Sequence, residues 1–242
     1  MKTGDFDSLV LSVFDVGDIN VVTDAIENVW KEELEEGNME VTRNSFNMSD
    51  YYVPEHGFIW LPKFSCWKSR HYSDKVFFAS DSMDGMQPTC LNVREKIHCN
   101  LLMCTFSNDG EQEPKYGIRY IKSDGGERAV LAMKEDRWTF SESGEPLPIE
   151  DLSLYKNKYV RKRINNGIIA MYLKRMGITL DNIDDGVVAS ATYKLLEWKT
   201  DKNKALVERV QCWLDMAGKY SYEILQIACR NSENIAIKMK KK

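Results

Sequence analysis

Apolar and polar residues alternate from Arg137 to Ser141, where Trp138 and Phe140 are interleaved with Arg137, Thr139 and Ser141. This spacing reads as a strand, and Ser143-Gly144 ends it. Pro146 and Pro148 follow, each fixing its own φ and extending the residue before it, so 145–148 reads as a stiff connector. Past the connector the period changes. Ile164, Ile168, Met171 and Tyr172 share one helical face, with Ile169, Leu173 and Met176 beside them, Lys174 and Arg175 in the last turn and Gly177 as the stop. After a loop over 181–186, the segments 187–198, 206–217 and 222–229 also read as helices.

Upstream of the connector, strand signals dominate. A buried strand over 9–14 leads through Gly17 to Asp18, an N-cap for a helix whose apolar residues are Ile19, Val22, Ile26, Val29, Trp30 and Leu34. Residues 35–48 are polar and patternless. Short strands over 58–61 and 76–79 flank KFSCWKSRHY, which reads as a loop folded over a sheet edge. Leu91, Val93 and Ile97 suit a short helix, and the apolar run 99–106 suits a central strand. Strands over 116–121 and 128–133 are joined by Ser123-Asp124-Gly125-Gly126, a hairpin turn in which glycine supplies positive φ without strain.

The pattern predicts an α+β protein: a mostly antiparallel sheet of five to seven strands with one or two packed helices in residues 1–145, then a helical part, 149–242, packed on it or continuous with it. The absence of βαβ repetition argues against a doubly wound nucleotide-binding fold. With 43% hydrophobic and 11% aromatic residues the chain has ample material for a core. No apolar run reaches the roughly 18 to 20 residues of a membrane span, and the acidic start lacks the basic flank of a signal peptide, so a cytoplasmic protein without a membrane partner is expected. The six cysteines show no CxxC pair and lie mostly within apolar patterns, which predicts reduced, buried thiols.

Charge is polarised along the chain. Residues 1–150 carry 15 Lys and Arg against 27 Asp and Glu, and residues 151–242 carry 18 against 10. The sharpest concentration is KNKYVRKR, where Lys156, Lys158, Arg161, Lys162 and Arg163 stand beside Tyr155 and Tyr159. Such a segment suits an acidic protein surface, or phosphates with tyrosines stacking on bases. The alternative is a solvated helix face whose cations pair with Glu142, Glu145, Glu150 and Asp151 just upstream. Trp67, Arg70 and His71 are a second set of candidate contact residues, since Trp and Arg are common interface anchors.

Catalytic chemistry finds little support. The three histidines, His56, His71 and His98, show no metal-ligand spacing. A zinc set of Cys90, His98, Cys99 and Cys104 would need the adjacent His98 and Cys99 to point the same way. Glu113-Pro114-Lys115 and Glu197-Trp198-Lys199 match the Glu-x-Lys of metal-dependent nucleases, but one contains proline and the other falls in a predicted helix. No metal and no cofactor are therefore expected, and no motif of a known family can be laid on the chain. By exclusion, the sequence points to a protein that binds another macromolecule, most simply a protein, in the manner of an immunity or inhibitor protein or a defence accessory factor. A nucleic-acid-binding or nucleic-acid-processing protein using a basic helical segment is the alternative, and an unrecognised hydrolase the second.

Overall fold

A computed structural model of the chain describes residues 7–53, 61–108 and 110–196. These form nine strands: β1 (Ser8–Phe14), β2 (Met39–Arg43), β3 (Lys63–Ser69), β4 (Val76–Ser80), β5 (Leu101–Ser107), β6 (Lys115–Ile121), β7 (Glu127–Lys134), β8 (Trp138–Ser143) and β9 (Val187–Leu195). All nine join one sheet in the order β2-β9-β3-β4-β1-β5-β6-β7-β8, and every pairing is antiparallel. The helices are α1 (Ile19–Val29), α2 (Lys31–Glu35), α3 (Gln87–Ile97), α4 (Leu152–Tyr155) and α5 (Asn166–Arg175).

The pleat of β1 sorts the two faces of the sheet. Leu9, Leu11 and Val13 join Phe77, Leu102, Cys104, Ile118 and Val130 in a core closed by Ile164, Ile169, Tyr172 and Leu173 from the segment after the connector. On the opposite face Phe14 meets Phe78 edge-on at 6.5 Å, Phe64 stacks on Tyr193 at 5.1 Å, and α3 approaches with the Cys90 thiol 3.6 Å from the Ser12 hydroxyl. Local signals set several of these elements. Asp18 accepts the Asn20 N–H as the cap of α1, and Asn165 accepts the Ile168 N–H as the cap of α5. Gly177, with φ of 79°, ends α5 while the Ile178 N–H reaches back to the Leu173 carbonyl. The hairpin turn between β6 and β7 closes as its glycines predict, with Lys122 N–H on the Gly126 carbonyl at 2.8 Å.

The expected helical C-terminal part is corrected by β9. Val187 to Leu195 is a strand lying between β2 and β3, with Cys66 opposite Ala191 and Phe64 opposite Tyr193. Its β-branched and aromatic residues, Val187, Val188, Thr192 and Tyr193, fit a pleated surface. Because Ser190 to Tyr193 are buried in succession, the two-residue alternation that betrays a strand is missing. The same reason explains β3, read from sequence as a loop: Phe64 to Trp67 are all buried. The sheet thus exceeds the five to seven strands expected, through β2, β3 and β9. The expected helices over 206–217 and 222–229 lie outside the described residues, as does most of the expected strand over 58–61.

Among the described residues no helix is long and apolar enough to cross a membrane. Cys66, Cys90, Cys99 and Cys104 are unbridged and buried, and burial pushes the Cys66 and Cys90 thiols up to about 12 and Cys99 to about 11. Thiols held so far from ionisation are poor nucleophiles.

Candidate functional site

The sequence candidates fall in two places. Trp67 is wholly buried in β3, stacked on Phe46 at 4.2 Å and on Phe77 at 5.8 Å, with its indole N–H on the Ile183 carbonyl at 2.6 Å. It is a core residue. Arg70 and His71 follow at the end of β3, where Asp185 Oδ2 lies 2.8 Å from both Arg70 Nη2 and His71 Nε2. The His71 and Arg70 hydrogen bonds hold the Asp185 carboxyl below its usual range. Tyr72 adds a hydroxyl that accepts the Thr179 N–H at 2.8 Å. Together these side chains strap the 178–186 loop to β3 and set the start of β9.

Ser69, His71 and Asp185 are the residue types of a hydrolytic triad, but their geometry is not that of one. The Ser69 hydroxyl is buried and lies 2.7 and 2.9 Å from the carbonyl oxygens of Asn182 and Asp185, while the His71 backbone N–H, not its ring, reaches Ser69 Oγ at 3.3 Å. A depression of about 170 Å³ on the α3 face, floored by Val10, Met103 and Leu131, is below the usual 300 to 1,000 Å³ of ligand sites. Among the described residues no three His, Cys, Asp or Glu side chains converge to hold a metal.

The second place is the stretch between α4 and α5. It is built of turns and is not the helix that the sequence reading allowed. Asp151 caps α4 by accepting from the Ser153 N–H and hydroxyl, Asn157 Oδ1 accepts the Tyr159 N–H, and Val160–Lys162 forms a single 3-10 turn. Tyr155 and Ile164 are buried and Val160 packs partly against the core, so they anchor the stretch from within. Arg163 lies with its guanidinium 5.1 Å from the Phe140 ring and donates from Nε to the Asn157 carbonyl at 2.8 Å. Lys156, Lys158, Tyr159, Arg161 and Lys162 face outward, with Tyr159 61% exposed and the Lys162 ammonium 5.4 Å above its ring.

What the nearby carboxylates do decides the character of this surface. Arg128 of β7, only 3% exposed, donates from Nε and Nη2 to the two oxygens of Glu150 at 3.0 and 2.7 Å and from Nη2 to Glu142 at 2.7 Å. Its Nη1 reaches the Ser143 and Gly144 carbonyls. Glu150, whose side chain is fully buried, also accepts the Leu147 N–H at 2.7 Å and the Tyr155 hydroxyl at 2.8 Å. Burial pushes the Glu150 carboxyl up, but the Arg128, Leu147 and Tyr155 hydrogen bonds outweigh it and hold the group below its usual range. Gly144 permits the turn that brings these groups together: its φ is 78°, and a Cβ there would sit 1.9 Å from the Glu127 carbonyl oxygen. Glu142 and Glu150 are therefore engaged by Arg128, and Asp151 by its own helix cap. Among the described residues, Lys156, Lys158, Arg161 and Lys162 make no ion pair. Tyr155, a sequence candidate for contact, belongs instead to the buried network.

Sequence reasoning places Glu150 among the carboxylates of the basic segment and passes over Arg128, since 22 residues separate the two and neither sits in a motif. Comparison with protein-family models, with curated proteins and with solved structures finds no match to this chain.

Proposed function

We propose that this protein works by binding an acidic surface of another protein, with Lys156, Lys158, Arg161 and Lys162 as the contact cations and Tyr159 as the exposed aromatic among them. An inhibitor or immunity role is the form of binding that this reading favours. One observation carries it: three of the four carboxylates just upstream, Glu142, Glu150 and Asp151, are already engaged by Arg128 and by a helix cap, and among the described residues the four cations make no ion pair. Charges so displayed act chiefly on encounter, raising association rates and setting orientation.

Nucleic acid is the second reading, supported by the exposed Tyr159 ring, which could stack on a base. The surroundings favour protein. Glu135, Asp136 and Glu145 bound the neighbouring strand and are exposed, and a phosphate backbone extending beyond the turn would meet them. The test is capture from native host extract by the parent and by a variant with Lys156→Glu, Lys158→Glu, Arg161→Glu and Lys162→Glu. Expected is a protein retained by the parent after nuclease treatment, eluted by salt and lost with the variant. Retention of the same protein equally by both, or of nuclease-sensitive material alone, overturns the reading.

A further inference from the structure

The acidic-surface reading can be carried to the shape of what binds, because the basic turn stands beside an open sheet edge. β8 is the last strand of the sheet, paired to β7 from Ala129 opposite Ser143 to Lys134 opposite Trp138. Among the described residues, its main chain makes no backbone hydrogen bond on the outer side. Trp138 and Phe140 face the helical layer, where Phe140 meets Tyr155 at 5.4 Å and lies under Arg163. Thr139 and Ser141 are exposed on the other face.

The two edges of the sheet differ in how they are guarded. Exposed edge strands invite pairing, and proteins blunt them with charges, proline or bulges. β2, at the other edge, carries exposed Glu40 and Arg43. β8 has no proline, no bulge and no lysine, and its one charged residue, Glu142, shares the Arg128 guanidinium with the buried Glu150. It is the less guarded edge, and it lies next to cations that make no ion pair among the described residues.

Resting on the function proposed above, we infer that β8 accepts an extended segment of the acidic partner as an added strand, with acidic residues at alternate positions of that segment. The alternation follows from the pleat. In an added strand every second side chain falls on the Phe140 face, where the basic turn stands, and residues two apart on one face are spaced by about 7 Å. Main-chain hydrogen bonds would hold the segment, and the cations would select its charge, as in other recognition by strand addition. The intervening side chains would lie over Thr139 and Ser141, which present hydroxyls and no charge. Glu135, Asp136 and Glu145, in the turns at either end of β8, restrict the acidic positions to the middle of the segment.

The experiment uses the full chain and two labelled seven-residue peptides of equal composition, one alternating Glu with Val and one with the Glu residues together at one end. Fluorescence anisotropy gives affinity, and amide hydrogen exchange reports on residues 138–143. Expected is at least tenfold tighter binding of the alternating peptide, slowed exchange in β8, and loss of binding with the fourfold Glu variant. Equal binding of both peptides with unchanged exchange in β8 would overturn strand addition while leaving the acidic-surface reading in place. Binding of neither peptide, with binding of a single-stranded oligonucleotide instead, would overturn both.

Discussion

Replacing Arg128 with alanine should cost about 3 to 5 kcal/mol of folding stability, because the substitution leaves the Glu150 carboxylate buried without its cation. The penalty comes from the orphaned charge more than from the lost attraction. A double variant, Arg128→Met with Glu150→Leu, should therefore recover much of the loss. The pH dependence has a definite sign. In the parent, the folded carboxyl of Glu150 is held below its unfolded value, so its contribution is fully present above about pH 4.3 and is lost as pH falls through the folded pKa. In Arg128→Ala the lowering partner is gone and burial favours the neutral acid, so the gap between parent and variant should narrow on acidification. Urea unfolding at pH 7 and at pH 4 checks both points. A variant within about 1 kcal/mol of the parent at pH 7 would show that the pair behaves as a surface ion pair.

Trp67→Ala should be comparably severe, at about 3 to 5 kcal/mol for a large buried aromatic. The Ile183 carbonyl would also lose its donor, and the loop that starts β9 one of its straps. Trp67→Phe retains the ring over Phe46 and should lose distinctly less. Since Trp67 lies in the core, partner capture by Trp67→Phe at a temperature where it stays folded should match that of the parent. Weakened capture by that folded variant would return Trp67 to the interface.

Where the fold was legible, a local cause can be named. Asp18 before an apolar 3-4 spacing, Asp124-Gly125-Gly126 between alternating runs, and Gly177 after α5 each carry their own stereochemistry within a few residues. β3 and β9 lack such marks because strands buried on both faces have no reason to alternate. Lys63 and Lys68 further disguise β3: one pairs with Asp50, and the other caps the Gly17 and Ser73 carbonyls. β2 is short and polar because it is an edge. At the candidate site, the basic composition of 156–163 was plain in the sequence. Whether the nearby carboxylates neutralise it was not, because the answer lies in Arg128, brought to Glu150 only by pairing of the sheet and the turn at Gly144. Arg70 and His71 were visible as a pair, but their partner Asp185 is more than a hundred residues away.

The account turns on four cations that folding does not use. The most direct measurement is the thermal melt, at low ionic strength, of the neutralised fourfold variant Lys156→Gln, Lys158→Gln, Arg161→Gln, Lys162→Gln against the parent. Without internal carboxylate partners to lose, the variant should melt at the same temperature as the parent or slightly above it, through relief of repulsion among the cations. A clear drop in melting temperature, abolished by added salt, would show that these charges pair within the fold.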